Sequence, residues 1–416
     1  MKFVIVGFGA AGTFAALKLR ESLKERGRAS GEDQIIILEK NRQGLRKVKI
    51  SGGGRCNVTH HQFDIKTFVK SYPRGEKELI GPFYQFNAQD TIDWFEKRGV
   101  KLKAEEDGRM FPTTNSSQTI IDCFEKALNE SQIEVRFQQK IQSIKHSDDK
   151  FLIQLADADD IEADAVMLAT GSDPAGHKLA QGVGHTITDL APSLFTFKIK
   201  DPLLKDLQGT SFSQAEITLM GLKKKWVQKG PLLITHWGLS GPCVLKLSAW
   251  AARELKEVNY QFNLKVNFLG LPFGEIKSLL EKTRQINPKK QWGNSPLTGL
   301  TKNFWKSFLE QVSVKFPKAK EKTWQELSNK EFEFIAERLY AYPLKNSGQS
   351  RFKEEFVECG GVSTKEVDFK TMESRLVRGL YFGGELLDID GITGGFNFQN
   401  AWTNGFIAGE NMAKKV

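Results

Sequence analysis

Gly7-Phe8-Gly9-Ala10-Ala11-Gly12 follows an apolar run from Lys2 to Gly7 and opens an amphipathic stretch reaching about Arg26. A G-x-G-x-x-G in that setting leaves few choices of fold. Gly7 permits a tight turn from strand to helix, Gly9 lets the backbone approach a pyrophosphate at the helix N-terminus, and Gly12 lets the helix lie close on its sheet. A tight turn without nucleotide carries the same letters. Glu39 argues against that reading, because it ends the next apolar run, QIIILEK, where a carboxylate can accept hydrogen bonds from an adenosine ribose.

A second glycine cluster raises a question of its own. Residues 51–61 read SGGGRCNVTHH. Consecutive glycines cost backbone entropy in any regular element, so they imply an unusual bend or a close approach to something.

At 416 residues, with 40% hydrophobic and 26% charged side chains, the chain is a globular protein of two or three lobes. The N-terminal apolar run is broken by Gly7, Gly9 and Gly12, which suits a strand-turn-helix better than a signal peptide. No apolar segment is long enough to span a bilayer, so no membrane is expected. Cys56, Cys123, Cys243 and Cys359 are scattered without C-x-x-C spacing. A reducing, cytoplasmic setting follows, with no metal site and no disulfide framework.

The net charge of +10 is unevenly placed. Residues 191–350 hold 25 Lys+Arg against 13 Asp+Glu, or +12, which leaves −2 for the rest. The same block holds Trp226, Trp237, Trp250, Trp292, Trp305 and Trp324. Cations with aromatic faces suit an RNA surface, with Lys223, Lys224, Lys225, Lys229, Lys289 and Lys290 as its phosphate contacts. The alternative is a solvated lysine face over a tryptophan core.

Patterning changes at the same places. Helical periodicity is predicted for Asp90 to Lys97 and Thr119 to Leu128, around a hairpin turning at Asp107-Gly108. ADAVMLATG then reads as a buried strand delivering Thr170 and Gly171. Alternating strands follow Asp189, helices run from Gly274 to Leu339, and VRGLYFGGE restores the first style. The predicted division is a nucleotide-binding domain in two parts, 1–190 and 351–416, around a β domain at 191–273 and a helical subdomain at 274–350.

The C-terminal stretch separates NAD from FAD. Glu385 follows a strand and can hold a ribitol hydroxyl, and Gly394-Gly395 stands at a helix start whose N–H groups can face a reduced flavin. Together, GFGAAG, SGGGRCN, DGRMFP, THWGLSGP, CGGVSTKEVDFKTMESR and YFGGELLDIDGITGGFNFQNAWTNG resemble the bacterial NAD(P)/FAD-dependent oxidoreductases known as HI0933-like or BaiN-like. The resemblance implies an α/β, glutathione-reductase-like Rossmann FAD domain interrupted by an antiparallel β domain with a helical subdomain. It also implies reduction of uridine to dihydrouridine in large-subunit ribosomal RNA, or of a conjugated steroid-type small molecule. The chain departs from the family at His60, where Asn is usual, and at Cys359, where Thr is usual.

The expected cofactor contacts are Gly7, Gly9, Ala11, Gly12, Glu39, Lys40, Ser51, Gly52, Gly53, Asn57, Ile141, Thr170, Gly171, Gly384, Glu385, Gly395, Phe396 and Asn397. No second strand-linked G-x-G-x-x-G is present, so NADPH or NADH must visit transiently as electron donor, or another reductant must serve. Reducing uracil needs a proton as well as a hydride. Cys56 is the first candidate donor, against a small buried side chain beside the ring. His236 is the second, because imidazole titrates near neutrality, against a structural histidine. Arg109 is read as holding a carbonyl or phosphate, against a salt bridge. His60 and His61 are read as surface residues. Three functions therefore stand side by side: a ribosomal RNA reductase, a small-molecule enone reductase and a non-catalytic RNA-binding flavoprotein.

Overall fold

The computed structural model describes residues 1–28, 33–349 and 357–415. The chain divides into two compact units, Met1–Ala191 with Lys353–Val416, and Pro192–Phe352.

The first unit is built on β1 (Lys2–Val6), α1 (Ala10–Glu25) and β2 (Gln34–Leu38). These strands and Ala165–Leu168 are near-continuous runs of buried apolar residues, as a parallel sheet covered on both faces requires. The seven strands lie in the order Val367–Asp368, Glu373–Ser374, Leu380–Phe382, Ala165–Leu168, β1, β2, Glu134–Arg136. From Leu380–Phe382 to Glu134–Arg136 every pairing is parallel. One edge of the sheet therefore collects the carboxyl ends of β1, β2 and Ala165–Leu168, the place where open α/β sheets bind ligands. Gly7, Glu39 and Thr170 come together there by topology.

The closing helix, Phe396–Met412, packs on α1 with almost no space between backbones. A Cβ added at Gly405 would lie 2.5 Å from the Ala11 carbonyl oxygen, and one at Gly409 would lie 2.4 Å from that of Ala15.

The second unit holds a closed six-stranded antiparallel barrel. Its strands lie in the order Phe197–Ile199, Gly238–Ser240, Val227–Thr235, Ser211–Met220, Gln261–Asn267, Tyr342–Gln349. Closure leaves no free edge. Helices Phe273–Ile286, Lys302–Lys315 and Asn329–Tyr340 are inserted between the last two barrel strands. Trp292, Trp305 and Trp324 are fully buried among them, and the indoles of Trp292 and Trp305 donate to the carbonyls of Ala319 at 2.6 Å and Trp292 at 2.8 Å. Half of the insert's tryptophans are thus core and offer no stacking face. Trp226 and Trp250 are half-buried, and Trp237 is 48% exposed. Among the described residues no helix is long and apolar enough to cross a membrane.

Candidate functional site

Gly9 caps α1 in extended backbone, and a Cβ built on it meets no atom within 4 Å. Gly12, by contrast, is pressed against the turn, with its added Cβ 2.1 Å from the Gly7 carbonyl oxygen. Ala11 is buried on the same helix. Below the turn, Glu39 is only 8% exposed and accepts from the Phe8 amide at 3.1 Å, the Asn41 amide at 2.8 Å and the Asn41 side chain at 2.6 Å. These bonds fix the carboxylate at the tip of β2. Lys40 pairs with Asp173 at 2.5 Å. Ile141 begins the strand just after Gln138 and Gln139, whose amides bond the carbonyls of Asn41 and Glu39. Thr170 and Gly171 follow Ala165–Leu168, and the Thr170 hydroxyl is buried without a hydrogen-bond partner.

The glycine loop is the C-terminal end of a helical segment, Arg46–Gly54, that loses helical geometry from Ser51 onward. Gly52, Gly53 and Gly54 have φ of +58°, +68° and +82°, which favours glycine at each. A Cβ on Gly52 would stand 2.9 Å from the Phe111 ring, whereas those on Gly53 and Gly54 would meet only open space. The Ser51 hydroxyl donates back to the Val48 carbonyl at 3.0 Å.

The loop is held from the far end of the chain. Asn57, with its amide oriented to satisfy both ends, accepts from the Gly395 amide at 2.9 Å and donates to the Thr59 carbonyl at 3.0 Å. Trp402 donates to the Val58 carbonyl at 2.9 Å, and Gln399 accepts from Thr59 at 2.6 Å. His60 is half-buried: its ring stacks on Phe396 with centroids 4.6 Å apart, and its Nδ1 lies 2.9 Å from the Gly394 carbonyl. His61 is exposed, with its ring edge-on to Phe63. Asn397 braces the same turn through two bonds to Gly391, at 2.8 and 2.9 Å. Gly384 donates to Asn404 at 3.2 Å, and Glu385 forms an ion pair with Lys47, which also donates to Ser172 at 3.0 Å.

Three catalytic expectations fare differently. Cys56 adopts φ +60° and is completely buried in the hydrophobic core, and burial pushes its thiol up to about 12. With no ligand present, a thiol facing the cofactor or substrate would show open surface. Cys56 shows none, so the proton-donor reading is corrected to packing. Arg109 pairs with Glu105 at 2.8 Å and Asp107 at 2.7 Å on its own hairpin, which is the salt-bridge reading. His236 belongs to the second unit and is exposed at the turn between Val227–Thr235 and Gly238–Ser240. Lys47 and His60 were not expected as site residues, whereas the resemblance already brings Arg55 near the reactive ring. Arg55 lies 3.9 Å from the Phe111 ring and pairs with Glu105 at 2.6 Å. Its place directly after SGGG was the available signal.

The site fits an extended dinucleotide such as FAD. Open space flanks Gly9, Gly53 and Gly54, and Glu39 is fixed at the strand tip. The family model of the HI0933-like protein Rossmann domain matches residues 1–411. A 3-dehydro-bile acid delta(4,6)-reductase from Clostridium scindens is 28% identical over 99% of this chain and 98% of its own. A ribosomal RNA dihydrouridine synthase from Escherichia coli is 26% identical over 98% of this chain and 97% of its own. The open form of a flavocytochrome c3 fumarate reductase shares the fold, with a TM-score of 0.51 and 16% identity over 100% of this chain and 78% of that one.

Proposed function

The chain belongs to the HI0933-like family of FAD-dependent oxidoreductases, and from that premise we propose that it reduces uridine to dihydrouridine in large-subunit ribosomal RNA. The observation that carries this reading is the charge division. The insert, residues 191–350, holds 25 Lys+Arg against 13 Asp+Glu, and Lys223, Lys224, Lys225, Lys229, Lys289 and Lys290 are all exposed on it. A relative named for that reaction covers nearly the whole chain.

Bound FAD, once reduced, supplies the hydride. The chain's own share is to hold the dinucleotide through the Gly9 turn and Glu39, and to fix the glycine loop through Asn57 and Gln399. NADPH or NADH visits transiently as reductant. The target uridine must be unpaired or met before ribosomal RNA folding is complete, because a duplex encloses its bases.

A second reading, reduction of a small-molecule enone, is favoured by the 28% identity to the bile acid reductase. Nucleoside mass spectrometry of ribosomal RNA separates the two. Cells lacking the protein should lose dihydrouridine from the large subunit and regain it with the gene restored. Unchanged dihydrouridine content would transfer the assignment to the enone.

A further inference from the structure

We propose that the helical part of the second unit carries a binding cleft for one unpaired nucleotide of RNA, an inference that rests on the RNA reading above. The cleft is a shallow depression open to solvent, of about 390 Å³, lined by Lys315, Phe334, Glu337, Arg338, Tyr340 and Ala341. Its size falls in the range of small-ligand pockets, ~300–1,000 Å³.

Its chemistry is that of a nucleotide site. The Lys315 ammonium lies 4.4 Å from the Phe334 ring centroid and the Arg338 guanidinium 4.9 Å from it. Among the described residues neither cation forms an ion pair. Two cations held over an aromatic ring, with the exposed Glu337 carboxylate as the one acidic group in the lining, can receive a phosphate. Tyr340 is 40% exposed at the end of its helix and offers a face on which a base can stack. Glu337 would repel a phosphate, yet its carboxylate can accept from a ring N–H such as the imide of uracil. Phosphate donors, a stacking face and a base-edge acceptor thus share one cleft.

A second open cleft of about 400 Å³ in the same unit contains Lys200, Asp201, Lys205 and His236. Tyr342 joins the two, with Arg338 6.0 Å from its ring and its hydroxyl 3.3 Å from Asp201.

The test uses the full-length flavoprotein, a fluorescent oligouridine decamer and the same decamer made abasic, with binding followed by anisotropy across a salt series. Lys315→Ala with Arg338→Ala should weaken oligouridine roughly tenfold or more. It should also lower the log–log salt slope by about 1.4, at roughly 0.7 per single-strand phosphate contact. Tyr340→Ala should weaken oligouridine by about tenfold and leave the abasic decamer unchanged, since only the former can stack. Melting temperature and flavin absorbance verify that each variant is folded.

Wild-type protein that binds no oligouridine would overturn the RNA reading and the cleft together. Wild-type binding that survives in the folded double variant, with the same affinity and slope, would overturn the cleft alone. Equal loss of both decamers in Tyr340→Ala would remove the base from the proposal, and full competition by oligoaspartate would replace RNA with an acidic peptide.

Discussion

Gly9 and Gly12 belong to the same six-residue pattern, yet the structure assigns them opposite consequences on substitution. Gly9 has φ −109° and ψ −167°, a conformation open to any residue, and an added Cβ touches nothing within 4 Å. Gly9→Val should therefore leave the folded apoprotein nearly intact. The main cost is that valine is a poorer N-cap than glycine, at most about 1 kcal/mol, or roughly 2–4 °C in a unit of this size. Gly12→Val forces side-chain atoms to within about 2.1 Å of the Gly7 carbonyl and 3.1 Å of Ile5. Overpacking against backbone that cannot move should cost about 3 kcal/mol or more. Cofactor binding should separate them again. The valine of Gly9→Val fills the space through which a pyrophosphate reaches the helix N-terminus, so FAD affinity should fall at least about a hundredfold, ~2.7 kcal/mol at 1.4 kcal/mol per decade. The assay is paired: thermal unfolding of flavin-stripped protein by circular dichroism, then titration with FAD followed by quenching of its fluorescence. A folded Gly9→Val protein with wild-type FAD affinity would refute the assignment of that space to the cofactor. An apoprotein as unstable as Gly12→Val would refute the packing argument.

Two further outcomes follow from buried groups. Cys56→Ala should lose about 1–2 kcal/mol of stability to a small cavity and keep substrate turnover within about twofold; a hundredfold slowing would reinstate the thiol as a catalytic acid. Asp33, buried, accepts from Arg28 at 2.9 and 2.8 Å and from the N-terminal amine at 2.7 Å; the Arg28 bonds above all hold its carboxyl down at about 2, against the opposing effect of burial. A depressed folded-state value stabilises above the unfolded value, 3.8, and is lost as pH falls through about 2. Asp33→Asn should remove roughly 2 kcal/mol at pH 7 and flatten the pH dependence of the urea midpoint between pH 4 and 2, whereas an unchanged midpoint at pH 7 would show that the pairs contribute nothing.

Local signals were legible where a short stretch determines its own geometry. The G-x-G-x-x-G turn, β1 and β2, the Asp107-Gly108 hairpin and the buried strand before Thr170 needed only spacing and composition. Barrel closure was not legible, because alternation reveals strands and not which strand meets which. The tryptophans illustrate the same gap: Trp292, Trp305 and Trp324 lie in a basic block, yet their rings pack on one another and the indoles of Trp292 and Trp305 donate to backbone carbonyls. One legible signal was passed over. Gly405 and Gly409, four residues apart in the closing helix, mark a stripe without side chains, which is what the close contact with Ala11 and Ala15 demands.

Cys56 shows most clearly why the site was harder to read than the fold. Its neighbours in sequence, three glycines and an arginine, point to a place where chemistry happens, and Arg55 does keep a guanidinium partly exposed over Phe111. One residue later the chain turns through φ +60° and sends the thiol into the core. The direction of that turn is fixed from far away. Asn57 is tied to Gly395, Val58 to Trp402 and Thr59 to Gln399, the last across 340 residues of sequence. Because the closing helix is itself seated on α1, the glycine loop inherits its register from the first helix by way of the last. Which of the two side chains faces outward therefore depends on contacts that bring the two ends of the sequence together, and no window around SGGGRCN contains them.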